Sequence, residues 1–400
     1  MHVTVDQKAL VEALKTVKPA SANRDSLPIL RYVLMSGQPD QFSLTASNLE
    51  MGMRSYLSPK QYQVTKPGQV LVDLNQLLKI AMRLRAAEDG QLSLEALNTE
   101  GTQVQVTCRG MTVELPGMSP QEYPVVKHPP AGSPLRVLIQ RKALADGLSR
   151  TAPFMSQDET RPNLNGIFLK VLATSDSMTK SGLLRLVSTN GHVLSLCEKV
   201  AILRGNGSIT GLERIIPAKA IAAIPKQQHG FLSFLFPTEA AEQKEEMLWI
   251  TGEYWELVLR CVPSDFPDYA KVLPSKQTGE IIFDPTEMLS VLSGFQPLIT
   301  PRAHALKMEI KEGRLTFTFR NPDIGTATES LSVDQRGDPH QTGISQVYLT
   351  QALKSFLSGA QKGGEAPLVA MAYTEEIAPM LFHEFGGGNG IIVIMPTKLS

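Results

Sequence analysis

Six amphipathic segments with helical spacing recur along this chain at intervals of roughly 65 to 77 residues. The first has Leu10, Val11, Leu14 and Val17 on one face. The segments begin near Asp6, Asp73, Gln140, Pro217, Asp284 and Leu349. Strand-like runs lie between them, so the repeating unit is one helix with a few strands. This repeat restricts the chain to tandem α+β units, each with a helix on one face of an antiparallel sheet.

Local signals predict where these elements begin and end. Asp6 is a suitable N-cap and Pro217 a suitable first-turn residue. In the last helix Thr350 is the expected N-cap and Gly359 the expected end. Alternating or short apolar runs predict strands at 42–47, 91–97, 102–108, 182–189, 248–253, 255–262, 314–320 and 390–396.

Two segments rich in Pro, Gly or polar residues, 125–135 and 272–280, are typical of linkers. Each follows an aromatic residue and a proline, Tyr123-Pro124 and Phe266-Pro267. They predict three domains of similar length, each holding two of the repeats. The expected boundaries are 1–131, 132–276 and 277–400.

Charge is distributed unevenly in a chain whose 39 basic and 39 acidic residues balance. The helical segments carry most of the clustered cations, and their acids are few beyond the caps: Glu12, Asp146 and Glu287. The cations are Lys8, Lys15, Lys18, Lys79, Arg83, Arg85, Arg141, Lys142, Arg150, Lys219, Lys226 and Lys354. Solvated helix faces with cations near helix C-termini would explain this pattern. Helices that share one basic surface for phosphates would explain it as well, although the fifth helix has no cation.

Composition excludes several classes of protein. Cys108, Cys197 and Cys261 are far apart and without a C-x-x-C pair, which argues against disulfide or zinc frameworks and fits a reducing cytoplasm. We expect no signal peptide from the first residues and no membrane helix. No two histidines lie at a metal-ligand spacing, so we expect neither a metal nor another cofactor.

The stretch 188–196, STNGHVLSL, is the most suggestive place for chemistry. Asn190-Gly191 predicts a tight turn between strands. His192 beside it could be a catalytic base, a metal ligand, a binding-surface residue or none of these. Cys197 is five residues further on and would lie on the opposite face of a strand. The Gly-rich 385–390 precedes a strand rather than a helix, which favours a hairpin connection over a phosphate loop.

Six motifs in one order resemble the bacterial DNA polymerase III beta subunit family, the sliding clamps. They are LPIL after Arg24, TASNLEM, RPNLNG, STNGHVL, FPDYAKVLP and VIMPTKL, and they span essentially the whole chain. The resemblance implies three tandem clamp domains and a head-to-tail homodimer that forms a six-domain ring. Helices would line the hole and antiparallel sheets the outside. A ring of this kind confers processivity in DNA replication without breaking or making a bond.

The resemblance also implies two surfaces on each chain. Sequence-independent contact with double-stranded DNA would come from Arg24, Lys79, Arg83, Arg141, Lys142, Arg150, Lys219 and Lys354. A peptide-binding groove would receive short linear motifs of the replicative polymerase, the clamp loader, repair polymerases and mismatch-repair proteins. Its expected wall is Leu164, Thr189, Gly191, His192, Val193, Leu194, Pro267, Lys271, Val272, Met380, Val393, Met395, Pro396, Thr397, Lys398 and Leu399.

The chain departs from the family pattern inside that groove. The family usually has Arg where Val193 stands and Asp where Asn190 stands, and its tail commonly ends Met-Arg-Leu rather than Thr397-Lys398-Leu399-Ser400. We therefore expect a groove with altered charge and shape. Just before Leu164-Asn165-Gly166, this chain has Pro162 and Asn163 where some relatives have a pair of aromatic residues.

For the subunit interface the resemblance implies Val113 and Leu115 on an edge strand of domain one, facing Leu298 and Ile299 of the other chain's domain three. Two further hypotheses remain open from sequence. One is an enzyme with an active site between domains, and the other is a paralogous clamp scaffold with altered partners.

Overall fold

A computed structural model places the six predicted helices. It describes residues 1–22, 27–84, 90–130, 135–173, 181–205, 212–226, 229–237, 246–274, 276–300, 304–321, 324–358 and 366–398. Within these ranges the α-helices are α1 (Gln7–Val17), α2 (Leu74–Arg83), α3 (Arg141–Thr151), α4 (Ala218–Ala223), α5 (Pro285–Phe295) and α6 (Gln346–Ser358). Each lies at a predicted repeat position, so the helical repeat is confirmed.

Among the described residues, ten strands precede α3 and sixteen follow it. Before it lie β1 (His2–Asp6), β2 (Tyr32–Gln38), β3 (Gln41–Ser47), β4 (Met51–Tyr56), β5 (Tyr62–Lys66), β6 (Gly68–Asp73), β7 (Gln91–Ala96), β8 (Gln103–Cys108), β9 (Met111–Met118) and β10 (Leu135–Gln140). The next are β11 (Gly166–Ala173), β12 (Ser181–Thr189), β13 (Val193–Arg204), β14 (Glu213–Pro217), β15 (Phe231–Phe236), β16 (Met247–Thr251) and β17 (Trp255–Arg260). The last are β18 (Gly279–Phe283), β19 (Ala305–Lys311), β20 (Arg314–Asn321), β21 (Gly325–Ser332), β22 (Asp334–Gly337), β23 (His340–Ser345), β24 (Val369–Tyr373), β25 (Met380–Glu384) and β26 (Gly390–Ile394).

Aspartate side chains start three of the helices. Asp6 Oδ1 accepts a hydrogen bond from the Ala9 amide at 2.7 Å. Asp73 and Asp284 cap α2 and α5 in the same way. These bonds satisfy amides that have no partner inside the helix, so the caps fix where each helix begins.

The last helix begins earlier than the sequence indicates. α6 starts at Gln346, which places Thr350 inside the helix, so the expected N-cap at Thr350 is wrong. The Gln346 side chain donates to the Leu292 carbonyl on α5 at 3.1 Å. A buried bond between distant helices therefore supports the first turn, and a local cap signal cannot reveal such a bond. The expected end at Gly359 lies outside the described residues.

Contacts divide the chain into two compact units rather than three. One comprises Met1–Arg141, Ile202–Ser208 and Lys219–Cys261; the other comprises Lys142–Ala201, Ile209–Ala218 and Val262–Ser400. Both units draw on the predicted middle domain. The boundaries near residues 131 and 276 therefore remain predictions.

The first unit contains a long run of antiparallel strands. Paired neighbours follow the order β9-β6-β2-β3-β4-β17-β16-β15-β10. A second set, β5-β1-β7-β8-β9, shares β9 with it. Helices α1 and α2 pack against each other, with Leu10, Leu14 and Leu77 fully buried. This is the expected arrangement of helices on sheets.

The second unit repeats that arrangement. Its paired strands include β13-β26-β25-β24-β18-β22, β12-β11-β14 and a four-stranded sheet β21-β20-β19-β23. Helices α5 and α6 pack together over a core that contains Phe295, Phe317, Phe356 and Phe382. In neither unit does any helix among the described residues have the length and apolarity needed to cross a membrane.

Candidate functional site

A side-chain-capped turn connects β12 to β13. Asn190 Oδ1 accepts hydrogen bonds from the amides of His192 and Val193 at 2.9 and 3.0 Å. Thr189 Oγ1 accepts from the Gly191 amide at 3.1 Å, and Gly191 has φ 91°, a conformation that glycine adopts without strain. The predicted turn is confirmed, and its bonds explain why Asn-Gly is suitable here.

His192, at the end of this turn, has an aromatic neighbour. Its ring stacks on Tyr348 of α6, with 5.8 Å between ring centres and 19° between planes. The thiol of Cys197 is fully buried, and this burial raises its pKa. Among the described residues no three His, Cys, Asp or Glu side chains are grouped to hold a metal. His192 is therefore an exposed residue whose ring packs against α6.

The expected groove centres on the place where β13 pairs antiparallel with β26. In this register Leu194 lies opposite Val393, and the Met395 amide donates to the His192 carbonyl at 2.9 Å. Leu194 and Val393 belong to one buried apolar group, which we call the groove cluster. Its members are Phe168, Val187, Leu194, Leu196, Ile215 and Val393. Two strands that are almost 200 residues apart thus supply a common apolar floor.

Aromatic side chains cover one side of the groove cluster. Phe266 stacks on Phe168 with 4.9 Å between ring centres, and Tyr269 lies against both. Arg185 donates to the Tyr269 hydroxyl at 3.1 Å and pairs with Glu198 at 2.5 Å. Phe266 and Tyr269 belong to the motif FPDYAKVLP but are not among the residues that the sequence predicts for the site. Two aromatic residues three positions apart in that motif are the signal that could have identified them.

Of the expected groove wall, Leu194 and Val393 belong to the groove cluster and Val272 packs against it, and most of the rest of the wall stays a prediction. Thr189, Met395, Pro396 and Thr397 are half-buried. Gly191, His192, Pro267, Lys271 and Lys398 are exposed. Leu164 is buried in the turn before β11, where its amide donates to the Arg161 carbonyl at 3.0 Å. Leu399 lies outside the described residues.

Two of the expected wall residues belong instead to the core. Val193 and Met380 are almost fully buried in the cluster that contains Ile392 and Ile394, and Met380 pairs with Ile394. Because successive side chains of a strand point to opposite faces, Val193 must face away from Leu194. Their assignment to the groove wall is therefore wrong. The departure at Val193 therefore concerns the core, where this chain has an apolar residue at a position that is usually Arg in the family.

The expected DNA-facing cations separate into exposed and buried groups. Lys79, Arg83, Lys142, Lys219 and Lys354 are exposed on their helices. In the first unit, an open cleft of about 1130 Å³ is lined by residues of α1, α2 and α4, by the segment after α1 and by the turn between β3 and β4. The cations at this cleft are Lys15, Lys18 and Lys219. Arg24 lies outside the described residues.

Arg141 and Arg150 do not present their charges to solvent, so their assignment to the DNA surface is wrong. Arg141 is 5% exposed and lies over the Trp255 ring at 5.6 Å. Arg150 is 8% exposed and pairs with Asp146 and Glu384 at 3.1 and 2.7 Å.

The expected interface residues lie on β9 and just after α5. On β9, Val113 is half-buried and Leu115 is buried. Residues Met111–Pro116 pair with β8, and among the described pairings β6 meets only Gly117 and Met118. Leu298 and Ile299 follow α5 and pack on the core while half-buried. This edge of β9 is thus open to a further strand.

Comparison with known proteins agrees with this architecture. Sequence models of the DNA polymerase III beta subunit match its N-terminal domain to residues 1–127 and its C-terminal domain to residues 270–398. The beta sliding clamp of Caulobacter vibrioides is 26% identical over 351 residues, which are 87% of this chain and 89% of the relative. That of Pseudomonas putida is 24% identical across the full length of both chains.

Solved structures are similar over the whole chain. The Pseudomonas aeruginosa sliding clamp bound to griselimycin covers 100% of both chains with a TM-score of 0.86 and 23% identity. The Bacillus subtilis sliding clamp does so with a TM-score of 0.85 and 19% identity. The fold is that of a DNA polymerase sliding clamp. More specifically, the chain belongs to the DNA polymerase III beta subunit family.

Proposed function

We propose that two copies of this chain close head to tail into a six-domain ring around double-stranded DNA. The exposed cations of the helices contact phosphates without reading sequence, so the ring stays linked to DNA yet slides. The open edge of β9 and the turn after α5 form the contact between copies. The ring acts in the cytoplasm as a processivity factor and catalyses no reaction.

We propose further that the groove tethers the replicative polymerase, the clamp loader and repair proteins through short apolar peptides. The observation that carries this is the register of β13 and β26, which sets Leu194 beside Val393 under an aromatic cover. A mostly apolar depression with a few polar edges suits a peptide with one or two large side chains. Sliding clamps of Pseudomonas aeruginosa and Bartonella birtlesii were solved bound to griselimycin, which supports a ligand site on this fold.

Replacing Met395 tests the groove. Met395 is half-buried at the groove edge, so Met395→Ala removes apolar contact without emptying the core. We expect the affinity for a fluorescent peptide that carries a polymerase's clamp-binding motif to fall about tenfold, as truncation of a central contact does. Fluorescence anisotropy measures it.

The matched control is Met82→Ala, which makes the same change at an exposed methionine of α2. It should leave peptide affinity unchanged. Equal affinities for Met395→Ala and the unchanged protein would count against the groove.

A further inference from the structure

The turn at the groove has a copy in the first unit. Asn48 Oδ1 accepts hydrogen bonds from the amides of Glu50 and Met51 at 3.1 and 2.9 Å. Ser47 Oγ accepts from the Leu49 amide at 3.2 Å, and Leu49 has φ 73°. The same bonds, in the same order, form the turn around Asn190. The helical repeat thus extends to the turn that borders the groove.

The strand pairing after this turn is copied as well. β4 pairs antiparallel with β17, which places Gly52 opposite Val258, and the Arg260 amide donates to the Glu50 carbonyl at 3.2 Å. We call this pairing the first junction. Its residues occupy the positions of the groove residues as follows: Glu50 matches His192, Gly52 matches Leu194, Val258 matches Val393, and Arg260 matches Met395.

A cavity of about 140 Å³ opens at the first junction, and we call it the first-junction pocket. Its floor includes Met51, Gly52 and Val258, and the linker residue Val126 forms a wall. A Cβ on Gly52 would lie 2.5 Å from Val126 Cγ1, so glycine is what admits Val126 here. Val126 therefore fills part of the space that a leucine fills in the groove, and the remaining space suits one large apolar side chain.

The rim of the first-junction pocket combines apolar and basic groups. Leu49 is 63% exposed and Val125 93% exposed, so two large apolar side chains at the rim are in contact with solvent. Lys127 and Arg260 are exposed cations on the same rim. The one acid in the lining is Glu50, whose carboxylate lies 4.0 Å from the ammonium of Lys219. The rim is therefore complementary to negative charge.

We propose that the first-junction pocket is a second docking site, which binds an extended segment of another protein through one large apolar side chain flanked by acidic residues. The repeat builds it with the same turn and register as the groove. Because Gly52 admits Val126 into the pocket, the space for a bound side chain is narrower than in the groove. Arg260 makes the rim more basic, so the pocket should prefer acidic segments. This site goes beyond the proposed function and does not depend on a ring forming.

Methyl resonances of methionine can report the two sites separately, because Met247 lines the first-junction pocket and Met395 borders the groove. Met51 lines this pocket and also the cleft of α1, α2 and α4, so its signal is read together with that of Met247. The protein is labelled with 13C-methyl methionine and titrated with the peptide Gly-Asp-Phe-Asp-Gly. We expect the Met51 and Met247 signals to shift in a saturable way. The peptide with Lys in place of both Asp residues should shift them at least about tenfold more weakly, because it meets like charge.

Two variants address the rim without threatening the fold. Leu49→Asn removes apolar surface at a positive φ that asparagine tolerates better than leucine, and Arg260→Glu reverses one exposed charge. Each should weaken binding at Met51 about tenfold and leave the Met395 shifts unchanged. Arg314→Glu, at an exposed arginine of β20, is the matched control and should change neither. Unshifted Met51 and Met247 signals at peptide concentrations that saturate Met395, or equal shifts in Leu49→Asn, would overturn the proposal.

Discussion

Arg150 is the centre of a buried charge network on α3. Its guanidinium pairs with Asp146 and Glu384, and Asp146 also pairs with Lys199. Truncating one member of such a network leaves its partners desolvated and unpaired, which is costly. We expect Arg150→Ala to lower the free energy of unfolding by about 3 kcal/mol in urea titrations.

Lys142, near the other end of α3, is the matched exposed cation. Lys142→Ala should change the free energy of unfolding by less than about 0.5 kcal/mol. It should instead remove about one phosphate contact with DNA. The slope of the logarithm of the binding constant against the logarithm of the salt concentration should then become less steep by about 0.9. If Arg150→Ala were as stable as Lys142→Ala, the buried network would be structurally unimportant.

Tyr123 gives the chain a pH dependence at high pH. Its hydroxyl accepts from the Ser47 amide at 2.9 Å, and burial raises its pKa from 10.0 to about 12. Because the folded pKa lies above the unfolded one, its contribution is fully present below pH 10 and is lost as pH rises through about 12. Urea midpoints should therefore fall more steeply above pH 10 for the unchanged protein than for Tyr123→Phe.

The phenylalanine variant has its own cost. It loses the hydroxyl's hydrogen bonds to Ser47 and Tyr32, and we expect about 1 kcal/mol less stability at pH 8. If plots of urea midpoint against pH ran parallel for the two proteins from pH 8 to pH 11, the pKa of this hydroxyl would be the same in the folded and unfolded states.

At the scale of helices and strands, the sequence predicts features that depend on neighbouring residues better than features that depend on residues far apart in the chain. Asn190-Gly191 specifies its turn with bonds inside five residues, and Asp6 caps its own helix, so both could be predicted. Val193 could not be assigned to a face until β26 paired with β13. Because alternate residues of a strand face opposite sides, a groove wall depends on register, which the sequence alone does not specify.

The same limit explains the misassigned arginines. Arg141 and Arg150 have the helical position and charge of DNA-facing residues, and only packing on Trp255 and Glu384 shows that they are buried. The six ordered motifs do not have this limit, because their order along the chain predicts the fold and the family without any knowledge of packing. The comparisons support both predictions.

The edge of β9 provides a test of chain-to-chain pairing. Val113→Asp places a charge on a half-buried edge position, and we expect it to weaken self-association about tenfold or more in analytical ultracentrifugation. Gln103→Asp changes an exposed residue of β8, a strand paired on both sides, and should leave association unchanged. Similar dissociation constants for both variants would place the subunit contact elsewhere.

At the scale of the whole molecule, a chain with no net charge is proposed to hold DNA. Helices carry exposed cations such as Lys79 and Lys354 while strands and loops carry the balancing acids, so the attraction is local. Weak phosphate contacts alone would let the protein dissociate in salt. Lasting attachment therefore requires that the DNA pass through a closed ring.

Retention on circular and linear DNA tests this claim most directly. The protein is loaded by a bacterial clamp loader onto a nicked circular plasmid and separated from free protein by gel filtration. The plasmid is then cut once. We predict that the protein stays with the circle at salt concentrations that abolish simple binding, and leaves within minutes after the cut by sliding off the ends. Equal retention before and after the cut would contradict the account, because a protein bound by contacts alone does not depend on DNA topology.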